Sequence, residues 1–499
     1  MLQAQELPEA PVRAGRFALS FVLVFCCLAA WALAMPMFSG TDEGAHIVRA
    51  YAVVHGESSS VDPATGGETF LVPPVIVHGG NGDDPCFAFR PDQPADCMDL
   101  HSAGPRHRVA SSATGYPPFF YAFVGWPTLL TSGLASLYLI RLFGAVLVAL
   151  LLALAIESVA RMRPRAPLLL GVAVAVTPAV LYFGATVSPS GLTIAAAFAV
   201  WTGGIVLARS ERLDHPGWAA ARMGLPLCVL ILLRRDSVFW AALLVVSLLA
   251  LTPPTRMRGL VRSRAMWAWV GASVACAAVQ LAVSGAETGA SVAGQAGATG
   301  GNFWGAVGDA SWIARQIQGG VLGSLDVHLP FPVLYIFVVS TGFLVIGAIG
   351  FAGRQVSLTL LAMSLAVAAI PLGLGSVRWP YLQGRYMLPL TVGLPIVAGL
   401  GIVEGLRGTP LPRRILWLLF PVLAFAQVIS FAQALRRYVS GATADWWIFS
   451  RPRWQPPAGH PTLLVVLYTV GVVALFVWLY VLARPPAIDD HVPPGGDAN

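Results

Sequence analysis

Long apolar runs joined by short arginine-bearing connections decide what this chain can fold into. A helix needs about 20 mostly apolar residues to cross the hydrocarbon core of a bilayer. Inside that core only helices and closed barrels satisfy their own backbone. Runs of this kind fall at 16–35, 139–160, 166–184, 191–208, 218–233, 238–251, 265–284, 331–351, 356–374, 387–406, 415–435 and 461–482, those at 218–233 and 238–251 being short. Charged residues make up 11% of the 499 residues, against about 25% in a soluble globular protein. Mean hydropathy is +0.71. The sequence predicts an all-α polytopic integral membrane protein of about twelve transmembrane helices.

The arginines set the orientation. With alternating direction, Arg161, Arg163 and Arg165, then Arg256, Arg258, Arg262 and Arg264, then Arg354, Arg407, Arg413, Arg414 and Arg484 fall on one side. The positive-inside rule makes that side the cytoplasm. The expectation is a multi-pass protein of the cell membrane with both termini cytoplasmic, one domain over 1–484 and a cytoplasmic tail at 485–499. The first apolar run, flanked by Arg13 and Arg16, lacks a convincing small-residue cleavage site and is read as a retained span. The segment near 116–130 is short and proline-led, and a crossing there would put the Arg161 cluster outside. It is therefore read as an interfacial helix within a large first extracytoplasmic loop, 36–138. A second amphipathic piece is expected near 303–317.

Composition excludes other classes. The isoelectric point is near 9.3, but the basic residues are topological signals rather than a nucleic-acid surface, so no nucleic-acid partner is expected. Histidine aside, every basic side chain is arginine, which reads mainly as composition bias, although guanidinium also suits phosphate. Of six cysteines, Cys26, Cys27, Cys228 and Cys276 lie in apolar runs and read as packing residues. Cys86 and Cys97 lie in the polar loop and can form a disulfide if that loop faces an oxidising compartment. The chain shows no zinc spacing, heptad run, solenoid repeat or nucleotide-binding glycine motif.

The chemistry-bearing stretch is 39–57, SGTDEGAHIVRAYAVVHGE. Asp42, Glu43, His46 and Arg49 recur at helical spacing, which allows Glu43, His46 and Arg49 to share a face. Thr41 or Asp42 suits the N-cap. A capped, solvated helix start shows the same pattern, but such charges at the mouth of a membrane helix usually serve a ligand. Three more groups fall on the outer side against the positive-inside rule: Arg141, Arg234 with Arg235 and Asp236, and Gln383 with Arg385 and Tyr386. Guanidinium forks bind phosphate oxygens bidentately. Several of them beside a carboxylate suit a lipid phosphate and a general base. Singly, each arginine is equally a snorkelling residue or an ion-pair partner, and a pair with Asp236 accounts for Arg234. Tyr116, Pro117 and Pro118 suit a belt anchor. Trp379, Tyr381, Trp446 and Trp447 suit either the belt or sugar stacking, and His101 reads as solvated. Asp42, Glu43 and His46 are also residue types that hold a divalent metal, though no fixed spacing demands one.

The order of these motifs carries a resemblance. Asp42-Glu43-x-x-His46-x-x-Arg49-Ala50, Tyr116-Pro117-Pro118-x-x-Tyr121, an Arg141-led span and Gln383-Gly384-Arg385-Tyr386-x-x-Pro389 resemble the bacterial polytopic membrane family known as domain of unknown function 2142, over roughly 17–406. That family is similar to the GT-C glycosyltransferases, which take sugar from a polyprenyl-phosphate donor on the outer membrane face. The resemblance implies a GT-C-like fold and Asp42 as base or metal ligand, with Glu43 and His46 supporting it. Arg49, Tyr116, Tyr121, Arg141, Arg234, Gln383, Arg385 and Tyr386 are then the expected substrate-binding residues. The expected partners are membrane lipid, a polyprenyl-phosphate sugar donor and a glycan, lipid or protein acceptor. The turn Ser188-Pro189-Ser190 departs from the pattern, because GT-C enzymes often carry an acid there. Two rival readings are a transporter or flippase of lipid-linked glycans, which calls for charge near the membrane midplane and broken helices, and a non-catalytic membrane interaction protein.

Overall fold

The computed structural model describes residues 14–63, 67–79, 84–100, 104–210, 216–287, 303–376, 383–444 and 452–484. The tail 485–499, His101, Trp379, Tyr381, Trp446 and Trp447 lie outside them. The first span, α1 (Ala14–Ala34), leads into α2 (Glu43–His55). A three-stranded antiparallel sheet follows: β1 (Ser60–Val61), β2 (Glu68–Val72) and β3 (His107–Ala110), with β2 central and Thr69 opposite Ala110. Phe70 and Val72, two apart and so on one face of β2, are buried, and β2 lies against α2. Cys86 and Cys97 are joined by a disulfide between β2 and β3.

The segment near 116–130 forms two short helices, α3 (Pro118–Gly125) and α4 (Pro127–Leu130). Each is too short to span. Phe120, Tyr121 and Val124 are buried, whereas Phe123, Trp126, Leu129 and Leu130 are exposed. One side is thus left apolar and uncovered. Gly125 permits the crossing of α3 on α2, since a Cβ there would lie 2.5 Å from the Ala50 carbonyl oxygen.

A long span follows, α5 (Gly133–Ala160). The run at 166–184 is broken into α6 (Ala166–Ala175) and α7 (Pro178–Ala185), which meet at 62°. Pro178 cannot continue the ladder of backbone bonds, and Gln427 donates to the freed Val176 carbonyl at 2.6 Å. Next, α8 (Pro189–Arg209) is buried along its whole length and packs against α5. It is followed by α9 (Pro216–Leu233), α10 (Ser237–Leu251), α11 (Pro254–Val261) and α12 (Arg264–Glu287). The amphipathic piece is α13 (Phe303–Ile317), joined by a hairpin of β4 (Val321–Leu322) and β5 (Val327–His328) to α14 (Phe331–Phe351). The chain ends with α15 (Arg354–Ser376), α16 (Gly384–Thr391), α17 (Gly393–Leu406), α18 (Arg413–Ser440) and α19 (Pro461–Ala483).

Every run singled out in the sequence falls on helix. Among the described residues, 10 helices are long and apolar enough to cross a membrane, counting α16 and α17 together, or 11 with the bent α6–α7 pair. The protein is thus an all-α polytopic membrane protein. The difference from the expected number lies at α10. Its 15 residues reach about 22 Å, short of a core of about 30 Å, because Pro253 and Pro254 stop it. At the end of the bundle away from α2, Glu157 and Glu404 are paired with Arg16 at 2.7 Å and Arg209 at 2.6 Å.

Candidate functional site

The first turn of α2 sets the site. Asp42 occupies the N-cap position with φ 59° and ψ 10° and makes no capping bond with its side chain. Aspartate is among the few residues that tolerate this left-handed conformation. Its neighbours hold it there. The Thr41 hydroxyl donates to the Gly323 carbonyl at 2.7 Å, so it ties α2 to the β4–β5 turn. The Thr41 carbonyl accepts from Arg385 at 2.9 Å. The freed Asp42 carboxylate accepts from the other Arg385 terminal nitrogen.

Glu43 points elsewhere. Its carboxylate accepts from Arg141 Nε at 2.7 Å and Nη2 at 2.6 Å, and from the backbone N–H groups of Val187 at 2.9 Å and Gly40 at 3.2 Å. Arg141 also donates to the carbonyls of Ala32, Met35 and Pro36 at 2.7–2.9 Å. Both side chains are fully buried. This corrects the sequence expectation for the pair. Every Arg141 donor is taken by protein, so Arg141 is a structural staple between α5, the α1–α2 link and the α7–α8 turn. It has no donor for a phosphate, and Glu43 has no free oxygen for a proton or a metal.

A second group is cationic. Arg234, between α9 and α10, donates from Nε to Asp236 at 2.8 Å and from Nη1 to the Ser190 hydroxyl at 3.0 Å. Its guanidinium lies 4.3 Å from the Tyr386 ring centroid and 5.4 Å from that of Tyr116. Arg385, in the first turn of α16, lies 5.0 Å from the same Tyr386 ring and donates to its hydroxyl at 3.1 Å. The two arginines, 6% and 2% exposed as residues, therefore share one tyrosine. Arg385 Nε is buried without a hydrogen-bond partner. Two buried guanidiniums thus face one ring, with Asp42 and Asp236 as their counter-charges, so the four groups are balanced in charge.

His46 is buried and its Nδ1 lies 2.8 Å from the Tyr121 hydroxyl. Burial pushes the imidazole down to about 3, so it is neutral at pH 7. Burial likewise lifts the Tyr121 phenol well above its ordinary value. Burial works to raise the Asp42 carboxyl, but the Arg385 guanidinium, with Arg234 behind it, holds it below the ordinary aspartate value. Arg49 stands 5.7 Å from the Phe70 ring centroid of β2. Gln383 is the N-cap residue of α16 and contributes no capping bond. Glu43 and His46, three apart on α2, meet different partners: the first reaches Arg141 of α5 and the second Tyr121 of α3. Among the described residues, no three His, Cys, Asp or Glu side chains gather as a metal site.

Sequence reasoning passed over Arg437. It is buried and donates to Asp326 at 2.5 Å and to the carbonyls of Phe87, Arg90 and Gln93 at 2.6, 2.9 and 2.7 Å. It thereby ties α18 to the disulfide loop and to the hairpin that holds Thr41. The signal was the one that marks Arg141: an arginine at an outer helix end.

Comparison with known proteins adds family and shape. No curated protein matches. Among solved structures, the arabinofuranosyltransferase AftD from mycobacteria is similar at 15% identity and a TM-score of 0.43, over 89% of this chain and 29% of that one. ArnT from Cupriavidus metallidurans, solved with undecaprenyl phosphate, is similar at 15% identity and a TM-score of 0.44, over 94% of this chain and 77% of that one. This chain thus spans less than a third of AftD, and likenesses this distant carry no chemistry across. A family model described as "Predicted membrane protein (DUF2142)" matches residues 25–394. The chain therefore belongs to the DUF2142 family of membrane proteins.

Proposed function

We propose that this protein is a membrane glycosyltransferase that moves a sugar from a polyprenyl-phosphate donor to a cell-envelope acceptor on the extracytoplasmic face. One observation carries the reading: Arg234 and Arg385 lie 4.3 and 5.0 Å from the single Tyr386 ring, with the Asp42 carboxylate beside them. Two buried guanidiniums at the end of an apolar bundle suit the phosphate of a lipid-borne ligand. Asp42 takes the proton of the acceptor hydroxyl. That oxygen attacks the anomeric carbon while the bond from carbon to phosphate oxygen breaks. The lipid phosphate leaves with the electron pair, and Arg234 and Arg385 stabilise its charge. The sugar itself is suggested by the resemblance of the Asp42 and Arg385 motifs to GT-C enzymes.

The disulfide at this end and the arginine-rich links at the other support an extracytoplasmic site and cytoplasmic termini. The apolar side of α3 and α4 suits an interfacial position in a first loop over 36–138.

The test is transfer by purified protein in lipid, with a labelled polyprenyl-phosphate sugar and either wild type or Asp42→Asn. Product from wild type and none above background from the variant supports the reading. Equal product from both removes Asp42 as base.

A further inference from the structure

We propose that Asp42 and the substrate phosphate compete for the Arg385 guanidinium, so that the arriving phosphate displaces the carboxylate and thereby frees it to act as base. This rests on the phosphate site proposed above and adds how that site is switched on.

The two carboxylates paired with these arginines are built differently. Asp236 is anchored: it accepts from Arg234 at 2.8 Å through one oxygen and from the Trp240 indole at 3.0 Å through the other. Asp42 is releasable. Among the described residues its carboxylate accepts from Arg385 alone, it makes no capping bond, and its side chain is 44% exposed. Arg385 cannot follow it outward. Its side chain is 1% exposed and is fixed by the Thr41 carbonyl and the Tyr386 hydroxyl. The unpartnered Arg385 Nε leaves one donor for an incoming oxygen. The backbone at Asp42 need not move, because Thr41 is tied to Gly323 and Glu43 to Arg141 on either side. Release is therefore a side-chain rotation.

The exchange also answers a chemical difficulty. A carboxylate held by a guanidinium is ionised but a poor proton acceptor. Once an anion takes the guanidinium, the same carboxylate faces negative charge and binds a proton more readily. The base is thus strengthened when a donor is in place.

The test is titration of farnesyl phosphate into purified protein in phosphatidylcholine nanodiscs, followed calorimetrically. Wild type, Asp42→Asn and Arg385→Gln are compared. Asparagine tolerates the left-handed backbone of position 42, and unchanged melting of the variant confirms its fold. Exchange predicts that Asp42→Asn binds about tenfold tighter than wild type, through loss of the internal competitor, and that Arg385→Gln loses binding. Equal or weaker binding by Asp42→Asn, with wild type binding normally, overturns the exchange and leaves the phosphate site standing. No binding by any of the three overturns the phosphate site, and the exchange with it.

Discussion

The Asp42 carboxylate is bound by the Arg385 guanidinium across 343 residues of sequence. The pairing joins the first turn after the first span to the first turn of α16, and it places an ionised acid beside two buried guanidiniums. Arg385 holds three oxygens there, from Thr41, Asp42 and Tyr386. Lysine offers a point charge without the planar fork. Arg385→Lys is expected to keep the protein folded and to lower sugar transfer by at least about tenfold. Transfer rates and melting temperatures of the purified variant check this.

Glu43 and Arg141 answer to a different test. Removing one partner of a fully buried, hydrogen-bonded pair leaves an uncompensated charge and costs about 3–5 kcal/mol. Glu43→Gln and Arg141→Leu should each reduce folded protein recovered from membranes and lower the melting temperature. The double variant should lose less than the sum of the two, and a strictly additive loss would contradict the pairing.

His46 gives a pH dependence of known sign. Its imidazole titrates at about 3 in the folded protein, against 6.5 when solvated. Between those values the unfolded chain binds the extra proton. The stability contribution is therefore complete above about pH 6.5 and is lost as pH falls toward 3. The slope approaches about 1.4 kcal/mol per pH unit. Melting curves at pH 7.5 and pH 5 should show a smaller acid-induced drop in His46→Gln than in wild type.

Gly125 tests the contact between α3 and α2. A methyl group there meets the Ala50 carbonyl oxygen at 2.5 Å, so one helix must shift. Gly125→Ala should displace Tyr121 from His46 and lower transfer, whereas Gly144→Ala, where a Cβ meets nothing within 4 Å, should not. Parallel transfer assays decide it.

The membrane architecture was legible because apolar run length and arginine position are local signals, and both survive folding. Asp42, Arg234 and Arg385 stand out as candidates for the same reason, since charge at an outer helix end is rare. What could not be read was which charge meets which. Arg141 and Arg385 carry the same signal in sequence, yet one closes on Glu43 98 residues away and the other on Asp42. Only packing decides that Arg141 meets a fully buried carboxylate and Arg385 a partly exposed one. The 62° break after α6 carries a local signal, Thr177-Pro178, which counting the length of the run passes over. Tyr386 was singled out, but its place between two guanidiniums depends on how α16 meets the α9–α10 turn, which no spacing encodes.

The most direct measurement is an experimental structure of the protein with farnesyl phosphate bound in a lipid nanodisc. The account predicts phosphate oxygens within hydrogen-bond distance of both Arg234 and Arg385, with the Asp42 carboxylate turned away from Arg385. Phosphate bound at the arginine-rich links of the opposite end, with Asp42 still on Arg385, would contradict it.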